Sequence, residues 1–421
     1  MRHCLSFLAF IALLGGLYGY ETYKGYKVYD VVPNKVQHEE LSMLQYEEGI
    51  DFWRLYTPGR MSRVMISPEK IAYFEEFLKA HEIPYEVAIE DMEGPIEEER
   101  RSMRKSRQKR ATSVPRVTPD FSVFWSAAEI ETYCTFLATT YPQFVTLETM
   151  TWSPEGRRIY AMKVSSGPVF GQKPIIGMES GMHAREWASP PTVLYLLNRL
   201  IENPSTRTEL LARVDWLIVP MQNPDGYEFS RNSNRLWRLN RRNVTATCVG
   251  VDLNRNNRYS WRQATLTQPC GSQTYPGPSP LSEPESFHLD HLMSRYAHNM
   301  KLYLSVHTFG DMVLWPWGYS GSPGWIETHA EHQTLGNLWR NAILANGGRS
   351  YQVGNVADVL GNAFGAVDDH MAGTYGVPYV YTLELTSGFQ FQYPEERIEA
   401  LAFETFHGYR AMALYIGETY G

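Results

Sequence analysis

From about Ala111 onward the chain repeats one pattern. Short apolar runs rich in β-branched and aromatic residues alternate with longer stretches of helical spacing. Ile159 to Val164, Pro174 to Met178, Trp216 to Val219, Leu302 to His307 and Tyr379 to Leu385 are apolar at nearly every position, so as strands they need cover on both faces. Helical runs around Ala127 to Thr139, Pro190 to Ile201, Glu283 to Met300 and Pro394 to Ile416 supply that cover. The expected fold is α/β, with a mixed, largely parallel central sheet flanked by helices. Pro276 to Pro280 reads as a loop, and no internal repeat is visible.

The first 110 residues have a different character. Arg2 and His3 precede an apolar run, Leu5 to Leu17, that ends among the small residues Gly15, Gly16 and Gly19. This is the pattern of a secretory signal peptide spanning residues 1–19, and the run is short for a membrane anchor, which must cross a hydrocarbon core of about 30 Å. Tyr20 to about Glu90 reads as a small α+β unit. Lys27 to Val32 and Asp51 to Leu55 read as strands, and Val64 to Ser67 is a third short apolar run. A helix follows, capped by Ser67, with Pro68 in its first turn and Ile71, Phe74, Phe77 and Leu78 on its buried face. Glu97 to Glu99 and the seven cations from Arg100 to Arg110 then form a charged bridge. The expectation is a solvated, mobile linker, with Arg107-Gln108-Lys109-Arg110 as a processing site cut after Arg110. Residues 20–110 are thus one unit and 111–421 another.

An exported chain permits disulfides. Once Cys4 leaves with the signal, Cys134, Cys248 and Cys270 remain. Cys248 and Cys270, flanking a loop-rich stretch, are the better pair. Asn243-Val244-Thr245 is a glycosylation sequon. A net charge of -7 does not indicate a nucleic-acid binder.

The candidate chemistry clusters where strands end. Gly181-Met182-His183-Ala184-Arg185-Glu186-Trp187 follows a strand and precedes a helix, with His183 and Glu186 close enough at a turn to share one metal. His307 ends another strand and is the best candidate for a third ligand. A catalytic zinc keeps an open position and lowers the pKa of a bound water to about 7, so a hydrolase also needs a carboxylate that is not a ligand. Glu384, alone and charged inside Tyr379 to Leu385, is that candidate. The plainer reading is a buried salt bridge, since a buried charge is costly without a partner. Arg185, Arg238 and Arg255 could grip a carboxylate or polarise a carbonyl.

These residues together resemble the funnelin-type zinc metallocarboxypeptidases, the carboxypeptidase A and B group. The resemblance covers nearly the whole chain, from signal, activation segment and basic junction to the metal motif, Asp252-Leu253-Asn254-Arg255-Asn256, the cysteine pair, His307 and the Glu384 strand. It implies a carboxypeptidase-like fold, one Zn²⁺ per chain on His183, Glu186 and His307, Glu384 as general base, and Arg238 as oxyanion donor. It further implies that Asn254 and Arg255 hold the substrate's terminal carboxylate, that Arg185 serves an outer subsite, and that residues 20–110 cap the cleft until an activating protease acts. The expected product is a secreted, extracellular, monomeric exopeptidase acting on peptide C-termini, with no nucleic-acid or membrane partner.

The chain departs from the family at three places. Leu360-Gly361 stands where a lid tyrosine is usual, Phe309 replaces a second substrate-contacting tyrosine, and Thr386-Ser387 replaces an Arg-Asp pair. The missing tyrosines leave open a secreted peptide-binding protein without turnover, and zinc-dependent amide hydrolysis of small acylated amino acids shares the metal logic. Specificity turns on the floor of the terminal pocket. Asp368 there would favour basic residues, whereas a one-residue shift would put Val367 in its place.

Overall fold

The computed structural model describes residues 20–112, 119–264, 268–321, 324–388 and 390–421. The signal-peptide reading of residues 1–19 lies outside them. Two sheets organise the chain. The first contains β1 (Lys27–Val31), β2 (Ile50–Arg54), β3 (Ser62–Ile66) and β4 (Tyr85–Ile89), in the order β2-β3-β1-β4 with all pairs antiparallel. Helices Lys35–Met43 and Ile71–Ala80 close the core, where Leu41, Phe74 and Leu78 pack on Tyr29, Val31, Val64 and Ile66. Ser67 does not cap the second helix. Its hydroxyl donates to Glu69 instead, and a 3₁₀ turn at Pro68–Lys70 leads into the helix.

The charged bridge is not a mobile linker. Glu93–Thr112 is one helix of 20 residues. Acidic residues precede basic ones along it, which suits both the helix dipole and pairs spaced three or four apart. Met92 just ahead of the helix, and Ile96, Glu99 and Met103 within it, are buried at helical spacing, and this stripe is what the run of charges masks in the sequence.

The second sheet has eight strands: β5 (Val145–Trp152), β6 (Arg158–Val164), β7 (Ile175–Ser180), β8 (Asp215–Val219), β9 (Met300–Thr308), β10 (Met312–Trp315), β11 (Gln352–Asn355) and β12 (Tyr379–Leu385). Their order is β11-β10-β12-β9-β7-β8-β6-β5. The central run β12-β9-β7-β8 is parallel throughout, while β10–β12, β6–β8 and β5–β6 are antiparallel. Helices Ala127–Thr140, Ser189–Glu202, His329–Ala345 and Ile398–Tyr420 bury one face, with Val193, Leu197, Trp339 and Tyr409 fully enclosed. Pro284–Ser294 and Val367–Tyr375 bury the other. The expected helix from Glu283 to Met300 ends early, because Met300 already begins β9. The edge strands β5 and β11 are partly exposed and lack the two-sided apolar signature by which the central strands are recognised, and β10, though apolar and buried throughout, is only four residues long.

The long C-terminal helix crosses its neighbour at Gly408, where an added Cβ would lie 2.4 Å from the Trp339 ring. Gly408→Ala should therefore cost about 1–3 kcal/mol through overpacking. Urea unfolding checks this, with a lower midpoint at unchanged slope as the expected result.

Candidate metal centre and substrate cleft

Parallel pairing brings the candidate residues together. Glu384 on β12 lies in register with His307 on β9, and β7 on the other side of β9 delivers the His183 loop. Gly181 has a φ of +66°, and a Cβ there would meet Met221 Sδ at 2.7 Å, so glycine alone lets the chain leave β7 and turn towards β9. His183, Glu186 and His307 are all buried, and one ligand atom from each lies within 4.8 Å of the others. His183 Nδ1 is 2.8 Å from Glu186 Oε1, and His307 Nδ1 is 2.9 Å from Glu186 Oε2.

The outward nitrogens are both occupied. His183 Nε2 donates to Asp252 Oδ1 at 3.1 Å, and His307 Nε2 lies 2.8 Å from Ser305 Oγ. Each Nδ1 therefore faces inward, which is the tautomer a metal ligand needs. Two imidazoles and one carboxylate on a buried cluster fit a catalytic zinc. Burial opposes ionisation of Glu186, but the two histidines outweigh it and hold its carboxyl well below the usual range. Burial also opposes a charged His307, but Glu186 and then Glu384 outweigh it and raise the imidazole to about 9.

Around this cluster sit the arginines. Arg238 donates through Nε and Nη2 to Asp252 Oδ2, at 3.1 and 2.9 Å, so Asp252 braces a metal histidine and an arginine at once. Asn254 Oδ1 accepts the Val367 N–H at 2.9 Å, and Arg255 Nη1 donates to the Asn254 carbonyl at 2.7 Å. Asp368 is buried and accepts from Thr382 Oγ1 at 3.0 Å, while Val367 packs among Leu253, Met371 and Val380. Burial pushes the Asp368 carboxyl up despite Thr382 and the nearby cations His307 and Arg255. Phe309 is buried against Phe391, with ring centroids 4.9 Å apart. Leu360 ends the helix Val356–Leu360, and Gly361 follows with a φ of +78°.

The first domain reaches into this cleft. Arg54, at the end of β2, pairs with Glu384 through Nη2–Oε2 at 2.6 Å and Nη1–Oε1 at 3.0 Å, and lies over Phe309. Asp51, three residues earlier, pairs with Arg185 at 2.6 Å. Glu99, on the long charged helix, makes a two-point contact with the buried Arg235. So Glu384 is in a buried salt bridge, and its partner belongs to the other domain. Asp51, Arg54 and the Glu99–Arg235 pair have no local signal in the sequence, because each partner lies far away along the chain, and the bracing role of Asp252, although it stands in the Asp252–Asn256 run, likewise depends on the fold. Cys248 and Cys270 are bonded, and Cys134 is buried, its thiol pushed up to about 12 by burial. Asn243 forms an isolated bridge with Val249 beside that disulfide.

A two-histidine, one-glutamate centre at the carboxyl ends of parallel strands, capped by a separate small domain, defines a zinc hydrolase held in a precursor form. Residues 130–408 match the zinc carboxypeptidase family, and residues 29–99 match the carboxypeptidase activation peptide. Carboxypeptidase B of Astacus astacus is 33% identical over 308 residues, 72% of this chain and 99% of its own length. Carboxypeptidase B of Helicoverpa zea is 31% identical over 389 residues, 90% of each chain. The crystal structure of carboxypeptidase A from Helicoverpa armigera superposes with a TM-score of 0.87 at 29% identity, covering 95% of this chain and 99% of that one. The chain belongs to the zinc carboxypeptidase family. It is a zinc metallocarboxypeptidase carrying its activation peptide, and cleavage of that peptide by a protease is implied by its presence.

The raised His307 gives a pH dependence with a definite sign. Below about 9 the metal-free imidazole carries a proton that must leave when zinc binds. Zinc affinity should therefore fall about tenfold for each pH unit lowered between roughly pH 8 and 7. Chelator competition at several pH values measures this, and His307→Ala should bind zinc far more weakly with a flatter pH dependence.

Proposed function

We propose that the mature domain is an extracellular exopeptidase that removes single C-terminal residues, with a preference for Lys and Arg. His183, Glu186 and His307 would hold the zinc, which when bound would supply Lewis acidity for the scissile carbonyl and for the attacking water. Glu384 takes the proton from that water and delivers it to the departing amine. Arg238, held by Asp252, donates to the oxyanion that develops on the carbonyl. Arg255, with Asn254, binds the terminal carboxylate of the substrate, Arg185 serves an outer subsite, and Phe309 lines the approach. Export is supported by the N-terminal run of residues 1–19 and by the activation peptide. Among the described residues no helix is long and apolar enough to cross a membrane.

The observation that carries the specificity is the placing of the two acidic residues at 368 and 369. Asp369 accepts the backbone N–H groups of Gly318 and Tyr319 at 2.7 and 2.9 Å, which occupies it structurally. Asp368 has a hydroxyl partner and the Asp369 N–H but no direct cationic partner among the described residues, and it lies within electrostatic reach of Arg255. A buried carboxylate in that state favours a substrate ammonium or guanidinium.

Protein cleaved after Arg110 should release single residues from matched peptides, fastest from those ending in Lys or Arg and slower from those ending in Leu or Phe. Asp368→Ala should lower kcat/KM for basic termini about 100-fold and leave apolar termini equal or better. Peptide binding without release of any residue, in protein shown to hold zinc, would instead support a binding protein on this scaffold.

Latency is attributed to Arg54 and Asp51, which occupy Glu384 and Arg185 in the uncleaved chain. Arg54→Ala should raise turnover of a small peptide by the uncleaved protein at least about tenfold, since a buried pair is broken. The cleaved enzyme, which no longer carries residue 54, should be unchanged. Equal turnover in the uncleaved variant and parent would remove Arg54 from the account.

A further inference from the structure

The two metal histidines are braced differently. His183 Nε2 meets a carboxylate directly, at Asp252. His307 Nε2 meets the hydroxyl of Ser305, 2.8 Å away on the same strand and two residues earlier. The Ser305 hydroxyl in turn donates to Glu179 Oε1. Glu179 lies on β7, in register with Ser305 on β9, and is fully buried. Its second oxygen, Oε2, has no hydrogen-bond partner among the described residues.

A fully buried carboxylate with one oxygen unpartnered costs stability and needs a reason. The directions of the hydrogen bonds supply one. With Nδ1 of His307 facing the ligand cluster, Nε2 must carry the hydrogen and donate to Ser305 Oγ. That fixes the serine hydrogen, which can then go only outward, to Glu179. Each bond leaves one choice for the next, so the carboxylate selects the tautomer of a ligand it does not touch.

We propose that Glu179 is a positioning residue for the zinc centre, acting through Ser305 to hold His307 in its metal-binding tautomer and orientation. The relay does for His307 what Asp252 does for His183, at one hydroxyl's remove. It rests on the assignment of His307 as a zinc ligand. The two carboxylates approach the cluster from different strands and loops, so the two histidine rings are oriented independently. A carboxylate behind a ligating histidine raises the basicity of the ring, and loss of such a partner typically costs about 10- to 100-fold in metal affinity.

The test uses the uncleaved full-length protein and zinc(II) alone. Zinc affinity is measured by chelator competition for the parent, Glu179→Gln, Ser305→Ala and the double variant, and thermal unfolding is followed on each metal-free form. Glu179→Gln removes charge without changing shape, so the metal-free protein should unfold at the same temperature or higher. Zinc affinity should nevertheless fall at least about tenfold. Ser305→Ala should lose a similar factor, and the double variant no more than the larger single loss, because both act through one chain. The cobalt(II) form of Glu179→Gln should show a shifted visible absorption band. Zinc affinity of Glu179→Gln within twofold of the parent would overturn the relay, as would losses that multiply in the double variant. If Glu179→Gln does not fold, Ser305→Ala alone decides by the same threshold. If the parent itself binds no zinc, the ligand assignment fails and the relay with it.

Discussion

The parallel pairing of β7, β9 and β12 is the constraint on which the rest depends. It sets Glu384 beside His307 and Glu179 beside Ser305, and it brings the loop carrying His183 and Glu186 to the same edge. Side chains at the carboxyl ends of parallel strands point into a crevice that the flanking helices do not fill. Polar residues placed there need not disturb the two apolar faces that hold the sheet. The cost of burying so many charges is met locally: Asp252 faces both His183 and Arg238, Glu186 faces both histidines, and Thr382 faces Asp368.

The first domain completes that balance before activation. Arg185 and Glu384 are buried in the uncleaved chain and would be isolated charges without Asp51 and Arg54. Breaking one side of such a pair leaves the other stranded, which is worth several kcal/mol. These contacts between the two domains therefore also stabilise the uncleaved fold. The charged helix Glu93–Thr112 adds Glu99 on Arg235, which ties the cap to the loop beside the metal motif. The expected cut after Arg110 falls in this helix, so cleavage there requires local fraying of its last turns.

Much of this was legible. The central strands are apolar at nearly every position, and that pattern follows from burial on both faces. The metal motif stands out because His183, Arg185 and Glu186 follow one such strand. Other elements were hidden for stated physical reasons. The edge strands β5 and β11 are partly exposed and carry no strong period, and β10 is too short to stand out. The charged helix looked like a linker because its buried positions, Ile96 and Met103, are outnumbered by charges. The case of Glu384 is instructive. A lone charge in an apolar strand allows either catalysis or a salt bridge, and in the uncleaved chain the salt bridge is present with a partner 330 residues away.

The sequence by itself determined the fold class, the two-part organisation, the ligand types and the family, because these rest on local periodicity and on short motifs. Only the tertiary structure decided which charges meet. The pairing of Arg54 with Glu384, that of Asp51 with Arg185, and the hydrogen-bond chain from Glu179 through Ser305 to His307 all depend on strand register and domain docking. Those are set by packing between segments far apart in the chain, where no local pattern of residues can report them.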